Sequence, residues 1–205
     1  VLAQKPLHGC NQYPDIQGFQ ALMEAHYWDM IELGKVILRG LAIALGIEPH
    51  FFDSEFSEPI SVLRFIHYPA IELKQDELQI GAGAHTDYGC ITILYQDEIG
   101  GLQVQNRNGQ WLDATPIPGS FVINIGDMMA RWSNDRYTST PHRVVNPSGL
   151  ERYSMPFFVE PNFDTDIRAL EGCYSEQNPA KYEPIKAGDY LLSRFAATYK
   201  YREEL

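Results

Sequence analysis

The sequence predicts a mainly β fold, a two-sheet jelly roll with α-helices flanking it, and three features of the 205-residue chain carry that expectation. A long stretch of helical period comes first. After Pro59 the texture changes to short β-rich runs broken by Gly, Asn, Asp and Pro. An amphipathic segment lies near the end. Strands at this spacing, joined by hairpins, suit an antiparallel jelly roll better than a parallel α/β sheet.

Taken in order, Phe19, Leu22, His26, Met30, Leu33, Ile37, Leu41 and Leu45 recur at three- and four-residue steps, the period of one helix face. This predicts one long helix, or two in succession, ended by Gly46. "EPHFFDSEF" (48–56) reads as a further helical turn before Pro59. The β runs are "SVLRFIHY", "CITILYQ", "LQVQ", "SFVINI", "HRVVN" and "YSMPFFVE", and the Asn-Gly pair of "NRNGQW" (106–111) marks a tight hairpin. In "AGDYLLSRFAATYKY" Asp189 is placed as an N-cap, with Leu192, Phe195 and Tyr199 on one helical face. With no internal repeat and no linker, residues 1–205 read as a single domain: a helical segment over 1–57, the jelly-roll core over 58–164 and a C-terminal helical segment over 165–205. The chain starts at Val1 rather than Met, so upstream sequence is expected to be missing.

Composition narrows the possible functions. The 16 basic and 27 acidic residues give a formal charge of −11 with no long basic run, so nucleic acid is not an expected partner. The apolar runs fall short of the roughly 20 residues of a membrane span, and nothing resembles a signal peptide. Cys10, Cys90 and Cys173 lack CxxC spacing, which argues against a disulfide framework and a zinc knuckle and suits a reducing, cytoplasmic setting. Oligomeric state is not legible.

The chemistry begins in "GAHTDYGCITILYQ" (83–96). In a strand, residues two apart share a face about 7 Å from one another, so His85 and Asp87 can converge while Thr86 turns away. Alone, the pair is a weak signal that more often marks a turn in which Asp87 bonds backbone amides near Gly89. His142, opening a later β run, is far enough along to return on a facing strand. Two histidines and a carboxylate that leave positions open are the ligand set of non-haem Fe(II) oxygenases. In "ERYSMPFF", Arg152 and Ser154 share a strand face, and a buried guanidinium beside a hydroxyl suits a two-pronged grip on a carboxylate.

The ordered set HTD (85–87), NIGD (124–127), "SNDRYTSTPHRVVN" (133–146) and RxSxPFF (152–158) resembles the iron- and 2-oxoglutarate-dependent dioxygenases of the isopenicillin N synthase-like superfamily. "NQYPDIQGF" (11–19), "LRFIHYP" (63–69), "GGLQV" (100–104) and the last helix also have counterparts there, so the resemblance covers most of the chain. It implies a double-stranded β-helix core and Fe(II) held by His85, Asp87 and His142. It further implies 2-oxoglutarate as cosubstrate, its distal carboxylate on Arg152 and Ser154, and O2 as oxidant. Tyr68 falls where many members place a tyrosine that helps bind that carboxylate or the substrate, and Phe158 where the pocket beside the iron is lined. The Asn that plant members often carry two positions before the tyrosine is Ile66 here. The implied reaction is oxidation, by hydroxylation, of a small molecule with release of succinate and CO2. The alternatives are an isopenicillin N synthase-like oxidase that uses no 2-oxoglutarate, an ethylene-forming variant, a metal-dependent hydrolase, or a non-catalytic binder of a small carboxylate. Met128, Trp132, Phe157 and Phe158 are the candidates for an apolar substrate pocket.

Overall fold

The computed structural model describes residues 6–70, 72, 79–146 and 149–198. These divide into two compact units. One is drawn from Val1–Val62, Arg131–Arg136 and Val159–Leu205, the other from Leu63–Ala130 and Tyr137–Phe158. Among the described residues no helix is long and apolar enough to cross a membrane.

In the first unit a single helix, α1 (Phe19–Leu45), runs to Gly46, which closes it at φ 79 in the left-handed region that glycine adopts without strain. Its buried residues are Met30, Ile31, Gly34, Leu38, Ala42 and Leu45. That face is rotated from the expected stripe, and Leu22 is 64% exposed. Gly34 explains the rotation: a Cβ there would stand 3.1 Å from both methyls of Val159, so the helix lies close at its small residues. Large apolar side chains counted from sequence flank that line of approach. The expected further turn is a 3-10 helix, Asp53–Phe56, and behind it the rings of Phe52 and Trp132 pack 5.0 Å apart. A two-stranded antiparallel pair joins Asp166–Ile167 to Ile185–Lys186.

The last helix, Ala187–Thr198, begins before Asp189, which sits in the first turn and is not the N-cap. The N–H groups of Ala187 and Gly188 bond the carbonyls of Thr165 and Phe163, and Gly188 has no room for a side chain beside the Phe163 ring, so packing sets the start. In the first turn the carboxylate still complements the helix dipole. Leu192 and Phe195 are half-buried, and Tyr199 lies outside the described residues.

The second unit is built on β1 (Val62–Leu63), β2 (Ile66–Tyr68), β3 (Gln79–His85), β4 (Ile91–Gln96), β5 (Leu102–Gln105), β6 (Trp111–Asp113), β7 (Val122–Ile125), β8 (His142–Asn146) and β9 (Arg152–Val159). One sheet has the order β1-β9-β4-β7, with β2 also on β9; the other has β3-β8-β5-β6. The β2–β9, β3–β8, β4–β7, β5–β6 and β5–β8 pairings are antiparallel, as a jelly roll requires. The predicted hairpin joins β5 to β6, with Gly109 at φ 78 and Asn106 Oδ1 accepting from the N–H groups of Asn108 and Gln110.

Sequence reading missed β6, the short Asp166–Ile167 and Ile185–Lys186 pair inside the segment expected to be helical, and, most important for the site, β3. Its "QIGAGAH" is poor in branched and aromatic residues, so local preference does not announce it. Pairing with β8 makes it a strand, through Gln79↔Asn146, Ile80↔Val145, Ala82↔Val144 and His85↔His142. Gly81 has a steric role here: a Cβ would lie 2.7 Å from ring carbons of Tyr68, so the phenol occupies space that any other residue would fill.

Candidate active site

A cavity of about 450 Å³ in the second unit is lined by both sheets. His85, Asp87, His142, Arg152, Ser154, Tyr68 and Phe158 all line it. Met128, Trp132 and Phe157 do not: they are at most 1% exposed and belong to the core. Alternation along β9 accounts for Phe157, which faces away from the side that Phe158 shares with Ser154 and Pro156.

His85 ends β3, and Asp87 lies beyond it in the turn to β4, so the two do not share a strand. His142 does not face them from across the cavity. It stands beside His85 on the neighbouring strand, as its direct partner in the β3–β8 register, with ring centroids 4.3 Å apart. Backbone bonds bring Asp87 to the same place. Asp127, at the start of α2 (Asp127–Trp132), donates its N–H to the Asp87 carbonyl (2.8 Å), and the Met128 N–H donates to that of Gly89 (3.0 Å). Gly126 lies so close to the Gly89 carbonyl that no side chain fits between them. The NIGD segment thus holds the turn that carries Asp87.

The side chains are oriented by bonds that sequence could not reveal. His85 Nδ1 is 2.7 Å from the Gly83 carbonyl, and His142 Nδ1 is 3.1 Å from that of Thr140. A carbonyl only accepts, so each Nδ1 carries a proton, and in the neutral ring Nε2 is the nitrogen with the free lone pair. Both Nε2 atoms face Asp87 Oδ1, at 3.9 and 3.6 Å. Asp87 Oδ2 accepts from Thr92 Oγ1 and Asn124 Nδ2, each at 2.7 Å, which leaves Oδ1 for the histidines. Asn124 Nδ2 is also 3.4 Å from His142 Nδ1, but that is a donor meeting a donor, so the amide's effective bond is the one to Asp87. The three ligand atoms lie within 4.8 Å of one another, a two-nitrogen, one-oxygen donor set suited to Fe(II).

Arg152 is 1% exposed. Its Nε donates to the Gly100 carbonyl and one terminal nitrogen to Gln96 Oε1 at 3.3 Å. The guanidinium lies 4.8 Å from the centroid of the Tyr68 ring, so Tyr68 supports it from one face. Nη1 has no partner among the described residues. A buried donor without an acceptor costs about 1–3 kcal/mol, and a bound carboxylate would relieve it.

The sequence pattern of the 2OG-Fe(II) oxygenase superfamily matches residues 57–161. The chain belongs to that superfamily. A 2-oxoglutarate-Fe(II) type oxidoreductase of Emericella nidulans is 42% identical over 96% of this chain and 59% of its own length. A homoarginine-6-hydroxylase of Arabidopsis thaliana is 45% identical over 95% of this chain and 62% of its own. Among solved structures, a full-length Neurospora crassa protein in complex with alpha-KG and thymine superposes at a TM-score of 0.82 with 40% identity, over 92% of this chain and 60% of that one. The chain therefore spans about three fifths of the length of these relatives. Members of the superfamily use Fe(II) and 2-oxoglutarate, and the donor set around Asp87 and the spare donor of Arg152 fit both.

Proposed function

We propose that the protein is an Fe(II)- and 2-oxoglutarate-dependent oxygenase that hydroxylates a small organic molecule with O2, releasing succinate and CO2. The observation that carries the reading is the unpartnered, buried Nη1 of Arg152 in the cavity that also holds the His85–Asp87–His142 group. A hydrolase or a plain metal site has no use for that donor. In this reading residues 1–205 act as one oxygenase domain. The relatives named above, a hydroxylase among them, support the reaction class, and a reducing, cytoplasmic setting is supported by Cys10, Cys90 and Cys173, none of which is disulfide-bonded among the described residues.

Bound iron and 2-oxoglutarate supply the activation of O2 and the oxidising equivalents. His85 and His142 offer Nε2, and Asp87 offers Oδ1 and a charge that offsets the cation. Thr92 and Asn124 keep the carboxylate from turning. Arg152 and Ser154 grip the distal carboxylate of 2-oxoglutarate, with Tyr68 bracing the guanidinium. Phe158, Leu94, Leu102 and Val144 give the cavity an apolar wall that excludes water from the reacting atoms.

The test is an anaerobic titration of the Fe(II)-loaded protein with 2-oxoglutarate, followed by visible absorption. A saturable charge-transfer band that is lost in Arg152→Ala is the expected result. Iron binding without a band would favour the oxidase alternative, in which Arg152 takes a substrate carboxylate.

A further inference from the structure

We propose that Arg64 reads the substrate at this site and that the substrate is a small monocarboxylate; the inference rests on the oxygenase reading above. Along the edge of the sheet, alternate residues face the cavity: Arg64, Ile66 and Tyr68 line it. The residues between them face outward. Phe65 is 57% exposed, and His67 stacks on Tyr153 and pairs with Glu151. The register places Tyr68 opposite Arg152 and Ile66 opposite Ser154, and the Arg64 N–H continues it by donating to the Pro156 carbonyl at 3.0 Å. Arg64 thus stands four residues along the edge from the rung of Arg152, about 13 Å at the usual strand rise. The two guanidinium groups serve different parts of one cavity.

Their states also differ. Arg152 is packed and bonded into the wall, whereas the Arg64 guanidinium has no hydrogen bond or ion pair among the described residues. Asp87 is the one carboxylate among the described lining residues; its Oδ2 is already engaged by Thr92 and Asn124, and its Oδ1 faces the two histidines. In a chain of net charge −11, a cavity whose described lining holds two arginines and one acid is a local reversal of sign. Fe(II), Asp87, Arg152 and the 2-oxoglutarate dianion are together neutral. Arg64, an exposed residue, then adds one unmatched positive charge to the lining, and a single carboxylate on the substrate matches it with the fork geometry that guanidinium prefers. The cavity's 450 Å³ lies toward the small end of ligand sites, roughly 300–1,000 Å³, so the acid is small.

The experiment uses protein loaded anaerobically with Mn(II) in place of Fe(II) and saturated with 2-oxoglutarate. It is titrated calorimetrically with butyrate, hexanoate, benzoate and phenylacetate, each against its primary amide. At least one acid is expected to bind about tenfold more tightly than its amide. Arg64→Ala should remove that preference while 2-oxoglutarate still binds, and Arg64→Lys should restore part of it as a point charge without the fork. Acids and amides that bind alike, or not at all, to the parent protein overturn the inference, as does a preference that survives in Arg64→Ala. If the parent fails to take up 2-oxoglutarate, the oxygenase reading falls and this inference with it. If 2-oxoglutarate binds and no acid is preferred, only the assignment of Arg64 falls.

Discussion

The β3–β8 wall of the cavity and its β9 wall hold their functional side chains by different means. On β3 and β8 the register shifts twice before His85 meets His142, and the side chain of His85 is 45% exposed. On β9 the register with β2 is unbroken from Ile66↔Ser154 to Tyr68↔Arg152, and Arg152 and Ser154 are 1% and 2% exposed. A neutral imidazole is cheap to leave near water and needs only a carbonyl to fix its ring. A guanidinium that must meet a carboxylate away from water has to be buried with partial bonding beforehand. Side-chain geometry on one wall therefore rests on a few local hydrogen bonds, while on the other it rests on burial and carries the stability cost of an unpartnered donor.

That difference can be broken by experiment. The largest expected effect is in His85→Ala, which should abolish Fe(II) binding and turnover while changing folding stability by no more than about 0.5 kcal/mol, as surface substitutions do. Metal content and a thermal melt check it together, and a large fall in Tm would show that the metal wall is also structural. Next comes Arg152→Met. It should retain iron and lose 2-oxoglutarate affinity by about 2–5 kcal/mol, and, since it removes the orphaned donor, the apo protein should melt no lower than the parent. In the parent 2-oxoglutarate should raise Tm, and in this variant it should not. Asn124→Ala, which takes one of the two donors from Asp87 Oδ2, should weaken Fe(II) by roughly 10–100-fold and leave 2-oxoglutarate affinity at saturating iron unchanged.

The smallest effect lies outside both walls. The Arg39 guanidinium, bonded to Asp53 at 3.0 and 2.7 Å, is the main cause that pulls that carboxyl down to about 2 from its ordinary 3.8. A lowered folded-state value stabilises above the unfolded value and is lost as pH falls through the folded one. Asp53→Asn should therefore cost up to about 1 kcal/mol at neutral pH, a partly exposed pair, and the gap to the parent should close between pH 4 and 2 in acid-denaturation curves.

The candidate metal-binding group and Arg152 could be picked out from sequence because the residue types are distinctive and their order along the chain is specific, and the structure brings them to one cavity. Their supports could not be picked out. Thr92 and Asn124 become partners of Asp87 only when β4 and β7 pair, Thr92 opposite Asn124, and no spacing in the sequence encodes that contact. β3 was hidden by its glycines and alanines, and the true face of α1 by Gly34, because small residues contribute close approach where a count of apolar residues registers nothing. "SVLRFIHY" reads as one run but forms two strands, so the cavity-facing side of Arg64 emerges only from the pairing with β9.

Gly81 and Tyr68 are two halves of one fitting, since the ring lies where the first atom of a side chain at 81 would have to be. Over evolutionary time such positions are not free to drift separately. A methyl at 81 is expected only in relatives whose residue at 68 has shrunk, and a chain that changed one before the other would pass through an intermediate with its arginine unbraced. The pair is thus a constraint on the order in which this site can change, as well as on its shape.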